Sequence, residues 1–306
     1  AYFFGRELEK YRHVPIGLIQ SCWGGTPVEA WTSGKALSTH PDYKERVTAL
    51  HAQGSGASKA ANVNPVEPTV LYNAMINPLI PFKIKGAIWY QGENNASRAY
   101  QYRSLLPLMI NDWRTRWGYN FPFYIAQLAN YMDTKAEPAP SEWAELREAQ
   151  LQTLRMERTG MAVLIDIGDA KDIHPKNKQE AGRRLSLPAR ALTYGEKIAY
   201  SGPLYRSYRI EGNRIRVFFD HVNGGLKAPG GELKGFSVAG VDRKFHWAKA
   251  VIDGNSVVVD CAEVPFPIAV RYAWADNPVC NLQNKAGLPA SPFRTDDWPG
   301  ITYGHK

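Results

Sequence analysis

The sequence predicts an α/β protein: a mainly parallel sheet covered on both faces through residue 195, then an antiparallel β-rich region over 196–306. Two observations carry this. Up to Tyr194, apolar runs of strand length alternate with stretches of helical periodicity, the pattern of a parallel sheet whose crossover helices cover both faces. After Gly195 the period becomes two, with turn residues between the runs, as in hairpin-connected strands. At 306 residues the chain can hold one large domain or a large and a small one. The expected division is 1–195 and 196–306.

Taken in order, Ala1 to Tyr11 reads as an amphipathic helix, with Phe3, Phe4 and Leu8 spaced between charged residues. Val14 to Gln20 reads as a buried strand. It runs into the Gly-rich turn Ser21-Cys22-Trp23-Gly24-Gly25-Thr26-Pro27, where Thr26 can cap a helix that starts at Pro27. Paired glycines between a strand and a helix leave backbone N–H groups open to a ligand, although a plain turn uses the same residues. From Ser33 to Asn64 the composition turns polar, most of all from His51 to Lys59, and reads as a surface excursion. Val70 to Ile76 is a short helix. Ile84 to Tyr90 is the second strand, ending in Gln91-Gly92-Glu93-Asn94-Asn95, an amide-rich cluster suited either to holding an oxyanion or to making a structural turn.

Arg98 to Trp117 is the clearest helix, with Leu105, Leu106, Met109, Ile110, Trp113 and Trp117 on one face. Phe123 to Leu128 is the third strand, Trp143 to Leu154 a helix, Met161 to Ile165 the fourth strand, and Lys176 to Tyr194 a helix kinked or stopped near Pro188. Beyond Gly195, Asn213 to Asp220, Phe245 to Ile252, Ser256 to Asp260 and Ala269 to Trp274 alternate as strands, and Asp253-Gly254-Asn255 is a turn between two of them. The Pro-, Gly- and Asn-rich stretch from Cys280 to Lys306 is expected to wind over the surface.

Hydrophobic content of 44% and charged content of 22% are those of an ordinary globular protein. The net charge of +8 suits an anionic ligand, but the basic residues are scattered and no block resembles a nucleic-acid arm, so nucleic acid is not an expected partner. Nine tryptophans and 16 tyrosines are the rings a sugar-binding surface uses, and core filling accounts for most of them. Cys22, Cys261 and Cys280 lack metal-ligand spacing, so no metal is expected; one disulfide or three thiols fit equally. No apolar run approaches the roughly 18 residues of a membrane span, and no signal peptide is visible. The start at Ala1 reads as a mature, processed or truncated one.

Among the seven histidines, His13, His40, His51 and His305 lie in polar or terminal surroundings without a clear partner. His246 reads as structural. His221 follows Asp220, but neighbours on an extended strand project to opposite faces. His174 ends the loop that leaves the fourth strand, after Asp166, Asp169 and Asp172. A histidine with a nearby carboxylate, at the carboxyl end of a parallel strand, is how α/β enzymes place a general base. A surface histidine among turn-forming aspartates is the competing reading.

Four segments, Val14 to Trp31, Gly86 to Ala96, Asp172 to Lys178 and Pro292 to Asp296, together and in this order resemble the sialate O-acetylesterase family within the SGNH (GDSL-type) hydrolases. The resemblance implies a flavodoxin-like three-layer α/β/α sandwich and metal-free, cofactor-free hydrolysis of acetyl esters on sugars, typically O-acetylated sialic acid, by serine acyl transfer. It implies an extracytoplasmic location. His174 matches the family's histidine, and Gly24 or Gly25 the glycine whose N–H faces the oxyanion. Gln91 is the favoured side-chain donor and Asn94 its rival. Trp23 and Glu93, beside these blocks, are the expected substrate contacts. Related enzymes place an aspartate three residues before the histidine; here that position is Lys171, so Asp172 is favoured over Asp169 as acid partner. The family's serine block has no counterpart here, and Ser21 does not match it. A nucleophile on an N-terminal fragment or upstream segment is therefore expected. An acetylated-xylan esterase is the near alternative, and a catalytically silent sugar-binding module the distant one.

Overall fold

The structure, a computed structural model, describes residues 1–52 and 64–306. The helices are α1 (Tyr2–Arg12), α2 (Gly34–Leu37), α3 (Lys44–Ala52), α4 (Ala99–Trp117), α5 (Glu142–Gln152) and α6 (Lys178–Pro188). Strands β1 (Ala87–Trp89), β2 (Phe123–Ala126) and β3 (Thr159–Ala162) form a parallel sheet in that order. Alternation along β2 sorts the layers, because successive side chains point to opposite faces. Phe123 and Ile125 join a core with Met109 of α4 and Leu146 of α5, while Tyr124 and Ala126 join Leu8 of α1 and Leu185 of α6. The result is the expected three-layer arrangement.

The helix ends follow local chemistry. Ser141 caps α5 by accepting the Ala144 N–H at 2.9 Å, Asn177 caps α6 by accepting the Glu180 N–H at 3.1 Å, and Gly118 closes α4 at φ 75°. The break anticipated at Pro188 is present: α6 ends there and the chain widens into a π-type turn over Ala189–Thr193. Among the described residues no helix is long and apolar enough to cross a membrane.

Several expectations differ from the structure. Among the described residues Val14 to Gln20 joins no ladder, and Val14, Leu18 and Ile19 stay exposed. Among the described residues no strand pairs with it, and the facing edge of β1 lies across an open cleft of about 610 Å3, lined by Ile16, Leu18 and Ile19 and by Ala87, Ile88 and Trp89. The β3 ladder begins two residues earlier than the apolar run and stops at Ala162, where the Gln127 N–H makes the last bond across from β2. Ser33 to Ala52, read as part of a surface excursion, forms α2 and α3 and buries Leu37, Tyr43 and Val47. Residues 53–63 of that excursion lie outside the described residues.

The β-rich region contains β4 (Leu204–Glu211), β5 (Arg214–Asp220), β6 (Leu226–Lys227), β7 (Phe236–Ala239), β8 (Phe245–Trp247), β9 (Lys249–Asp253), β10 (Ser256–Asp260), β11 (Ala269–Tyr272), β12 (Gln283–Asn284) and β13 (Phe293–Arg294). They build antiparallel sheets in the orders β4-β5-β10-β9, β13-β11-β7-β8 and β12-β6. The run Phe245 to Ile252 is therefore two strands in different sheets, split at Ala248, whose N–H bonds to the Phe236 carbonyl at 3.0 Å. The tail is not a surface wrap: Leu282, Ala290 and Phe293 are buried. Arg147 of α5, fully buried, joins the two regions. Its guanidinium donates to the carbonyls of Leu128 and Ala129 at 2.8 Å, Ala275 at 2.7 Å and Asp276 at 2.8 Å. All three cysteines are free thiols.

Candidate functional site

The loops at the carboxyl ends of the sheet carry most of the residues singled out above, as expected for an open parallel sheet. The turn after Gln20 reverses at Gly25, whose φ of 72° is a left-handed conformation that glycine adopts without strain. A Cβ on either Gly24 or Gly25 would meet nothing within 4 Å, so the backbone here is open to a ligand. Beside it, the exposed Asn94 amide donates to the Gly25 carbonyl at 2.9 Å, with a second amide hydrogen left over. Trp23, half exposed, stands on the same turn.

Below this rim lies a buried polar lattice. Asn95 accepts from the Val28 N–H at 2.9 Å and donates to Glu29 at 3.0 Å, and Glu29 pairs with Arg98 at 2.8 Å. Gln91 is part of the lattice rather than of the rim. Its amide nitrogen donates to the Asn95 side-chain oxygen at 2.7 Å and the Thr26 carbonyl at 3.1 Å, and its oxygen accepts from the Tyr102 hydroxyl at 2.9 Å. Both amide hydrogens of Gln91 are bonded within the lattice, whereas Asn94 keeps one that is not. Gly92 makes the close approach possible: at φ 154° it brings the end of β1 so near α5 that a Cβ would lie 2.4 Å from Leu146 Cδ2.

The loop after β3 is anchored at several points. Asp166 is held by Arg184 of α6 at 2.8 Å, and Arg184 also donates to the Val163 carbonyl at 2.8 Å. Gly168 donates to the Asn130 side chain at 2.6 Å, and Met132 donates to the Ala170 carbonyl at 3.1 Å. Asp169 accepts from the Lys171 N–H at 2.9 Å, within its own turn. Asp172 accepts from the His174 N–H at 2.9 Å, and the same oxygen lies 3.3 Å from His174 Nδ1. The structure thus sets Asp172, not Asp169, beside His174. The His174 N–H, followed by its side chain, holds the Asp172 carboxyl below the usual aspartate range. The His174 side chain is 84% exposed, so its Nε2 edge is free to meet a bound group.

Glu93, on the third loop, lies within reach of the charge of this histidine. Burial pushes its carboxyl above the usual value, and the charges of Lys178 and His174 pull against that shift. Lys178 Nζ sits 4.8 Å from the centroid of the Tyr90 ring. An acid with a raised folded-state pKa binds more protons folded than unfolded, so its ionisation costs stability as pH rises through that range. Glu93→Gln is accordingly expected to raise the melting temperature at neutral pH. The gain should shrink as the pH falls below about 4.5, the ordinary value of a glutamate carboxyl, measured by thermal unfolding at neutral and acid pH.

Sequence reasoning missed Tyr90, Lys178, Asn95, Glu29 and Arg98. Lys178 left a faint signal, four residues after His174 and at the start of a helix; the others are distinguished only by who faces whom. Among the described residues His174 makes no hydrogen bond to a serine hydroxyl, and Ser21 donates to the Met75 carbonyl at 3.1 Å. His221 turns away at φ 57° and packs its ring edgewise on Tyr200, while Asp220 approaches Arg206 at 3.6 Å. His246 pairs with Glu263 at 2.8 Å, and both His40 and His305 do have partners, the Ser104 hydroxyl and the Ser97 carbonyl.

Residues 1–186 match the family model for carbohydrate esterases described as sialic acid-specific acetylesterases. The chain is 32% identical to the sialate O-acetylesterase of Homo sapiens and, equally, to that of Pongo abelii, with 98% of this chain and 61% of each relative covered. Among solved structures, a carbohydrate acetylesterase from Xanthomonas citri superposes with a TM-score of 0.86 at 42% identity, covering 97% of this chain and 65% of that one. The chain thus spans about three fifths of the length of the curated relatives it matches. At this identity and coverage, the chain belongs to the sialic acid-specific acetylesterase family of carbohydrate esterases.

Proposed function

We propose that the chain is the larger part of a carbohydrate O-acetylesterase that removes acetyl groups from sialic acid by serine-type acyl transfer. What supports this reading is that His174 lies beside Asp172 on the loop after β3, close enough for its charge to act on Glu93, while the neighbouring loops carry the open Gly25 backbone and the rim amide of Asn94. His174 takes the proton of a serine hydroxyl as that oxygen bonds to the acetyl carbonyl carbon. The carbonyl oxygen becomes an oxyanion, held by the backbone N–H of Gly24 or Gly25 and by Asn94. Collapse breaks the ester bond; the sugar oxygen leaves with the proton from His174, and water then releases acetate from the serine by the same steps. Glu93 and Trp23 border the space where the sugar would lie.

The serine comes, on this reading, from a segment outside these 306 residues. The cleft between Val14–Gln20 and β1 supports that view. Both walls run towards the site, one into Gly24–Gly25 and the other into Gln91–Asn94, and both have unpaired backbone edges. A parallel strand paired to both would end between those loops, facing His174. An extracytoplasmic location belongs to the same reading. The test is acetate release from O-acetylated sialic acid and from acetylated xylan by the chain joined to its upstream segment. Faster release from sialic acid is expected, and release from xylan alone would overturn the substrate assignment.

A further inference from the structure

The loop that carries His174 is held from outside the parallel-sheet region. Gly168 donates its N–H to the Asn130 side-chain oxygen at 2.6 Å, and the Asn130 amide nitrogen donates to the Asn277 side-chain oxygen at 2.8 Å. The Asn277 amide nitrogen then donates to the Met132 carbonyl at 2.7 Å, and the Met132 N–H donates to the Ala170 carbonyl at 3.1 Å. The chain of bonds therefore leaves the loop at Gly168 and returns to it at Ala170. Its polarity is fixed, because a backbone N–H only donates and a carbonyl only accepts, so each asparagine has one amide orientation that satisfies both neighbours. Asn277 stands in the β-rich region, beyond the end of β11. It is itself held fast through Asp276, whose carboxylate accepts from the Ser141 hydroxyl at 2.6 Å and whose carbonyl accepts from Arg147 at 2.8 Å.

Two features show how closely these segments are drawn together. Met132 adopts a φ of 72°, a left-handed conformation that strains a residue with a long side chain and persists only where its surroundings hold it. The bonds on its N–H and its carbonyl are the two named above. A Cβ on Gly168 would lie 1.9 Å from the Asn130 backbone oxygen, so the two loops meet at a distance that a side chain forbids. From this contact the path to the histidine is short. Gly168 and Ala170 flank Asp169, which pairs with Asp172 in an antiparallel bridge. Asp172 in turn accepts the His174 N–H at 2.9 Å. The exposed His174 ring takes its place from the bonds of its loop rather than from packing.

We propose that Asn277 is a positioning residue for His174, through which the β-rich region sets where the histidine stands at the end of the parallel sheet. Its effect on rate rests on the reading of His174 as general base; the link itself is geometric. A base works only within hydrogen-bond reach of the proton it takes, and a misplacement of about 1 Å can cost roughly a hundredfold in rate.

The test compares Asn277→Ala with Asn281→Ala. Asn281 is the control, since its side chain bonds to Pro229, Glu232 and Lys234 in the same region and, among the described residues, to nothing in the loop of His174. In the chain joined to its upstream segment, Asn277→Ala should lower kcat for acetyl-ester hydrolysis about tenfold or more with KM within about twofold, and Asn281→Ala should leave kcat unchanged. In residues 1–306 alone, NMR of the histidine rings, with His174→Ala identifying the signal, should show the His174 resonance displaced by Asn277→Ala and not by Asn281→Ala. Asn277→Ser, whose hydroxyl is too short to reach both Asn130 and Met132, should displace it as well and decides the matter where Asn277→Ala fails to fold. An unmoved His174 resonance, equal effects from the two asparagines, or a loss confined to KM would each overturn the proposal. Full activity in His174→Ala would instead overturn the esterase reading, and the NMR comparison would still decide whether Asn277 places the histidine.

Discussion

Replacing His174 with alanine in the chain joined to its upstream segment is expected to lower acetyl-ester hydrolysis by about a thousandfold or more, with little change in KM. General base assistance by a positioned histidine contributes roughly 10²–10⁴ in rate, and the same group returns the proton to the leaving sugar oxygen. The loss should fall on kcat because the imidazole meets the developing charge rather than the ground-state sugar. His174 is exposed and makes no packing contact that stability depends on, so the melting temperature should hardly move. Asp172→Asn should cost far less, about tenfold. Its carboxylate is exposed and only 3.3 Å from Nδ1, and water can substitute in part for its orienting role. A His174→Ala variant that keeps full activity would remove the central residue of the proposed chemistry.

The second large effect concerns the nucleophile. A fluorophosphonate probe, which reports an activated serine, is expected to leave residues 1–306 unlabelled. It should label one serine of the upstream segment once that segment is joined to the chain, and acetyl-ester hydrolysis should appear with it. Substituting Ile88→Lys in the joined protein should suppress both signals, because Ile88 faces the cleft and a charge there opposes burial of an apolar strand. Labelling of Ser21 would overturn the placement, since its hydroxyl already donates to the Met75 carbonyl at 3.1 Å and lines the cleft instead of facing His174.

How far the site was legible depended on the type of group. Gly25, Asn94, Asp172 and His174 could be singled out because backbone openness, amide chemistry and a short carboxylate–histidine spacing are local properties. Gln91 cannot be ranked against Asn94 on the same local grounds: as a residue type it is as good a donor, and only its packing against Thr26, Asn95 and Tyr102 shows that its hydrogens are already bonded. Asp166 carried the same ambiguity until Arg184, 18 residues on, appeared as its partner.

The sequence by itself determined the alternation of strands and helices, the switch to period two after Gly195, and the loops on which the candidate groups stand. These follow from side-chain periodicity and turn chemistry, which act over a few residues. Only the tertiary structure decided that Val14–Gln20 lies unpaired across a cleft, that Phe245–Asp253 is shared between two sheets, and that the tail after Cys280 enters the core. Each of these depends on which distant backbone edge or apolar face is within reach, and no local pattern encodes that.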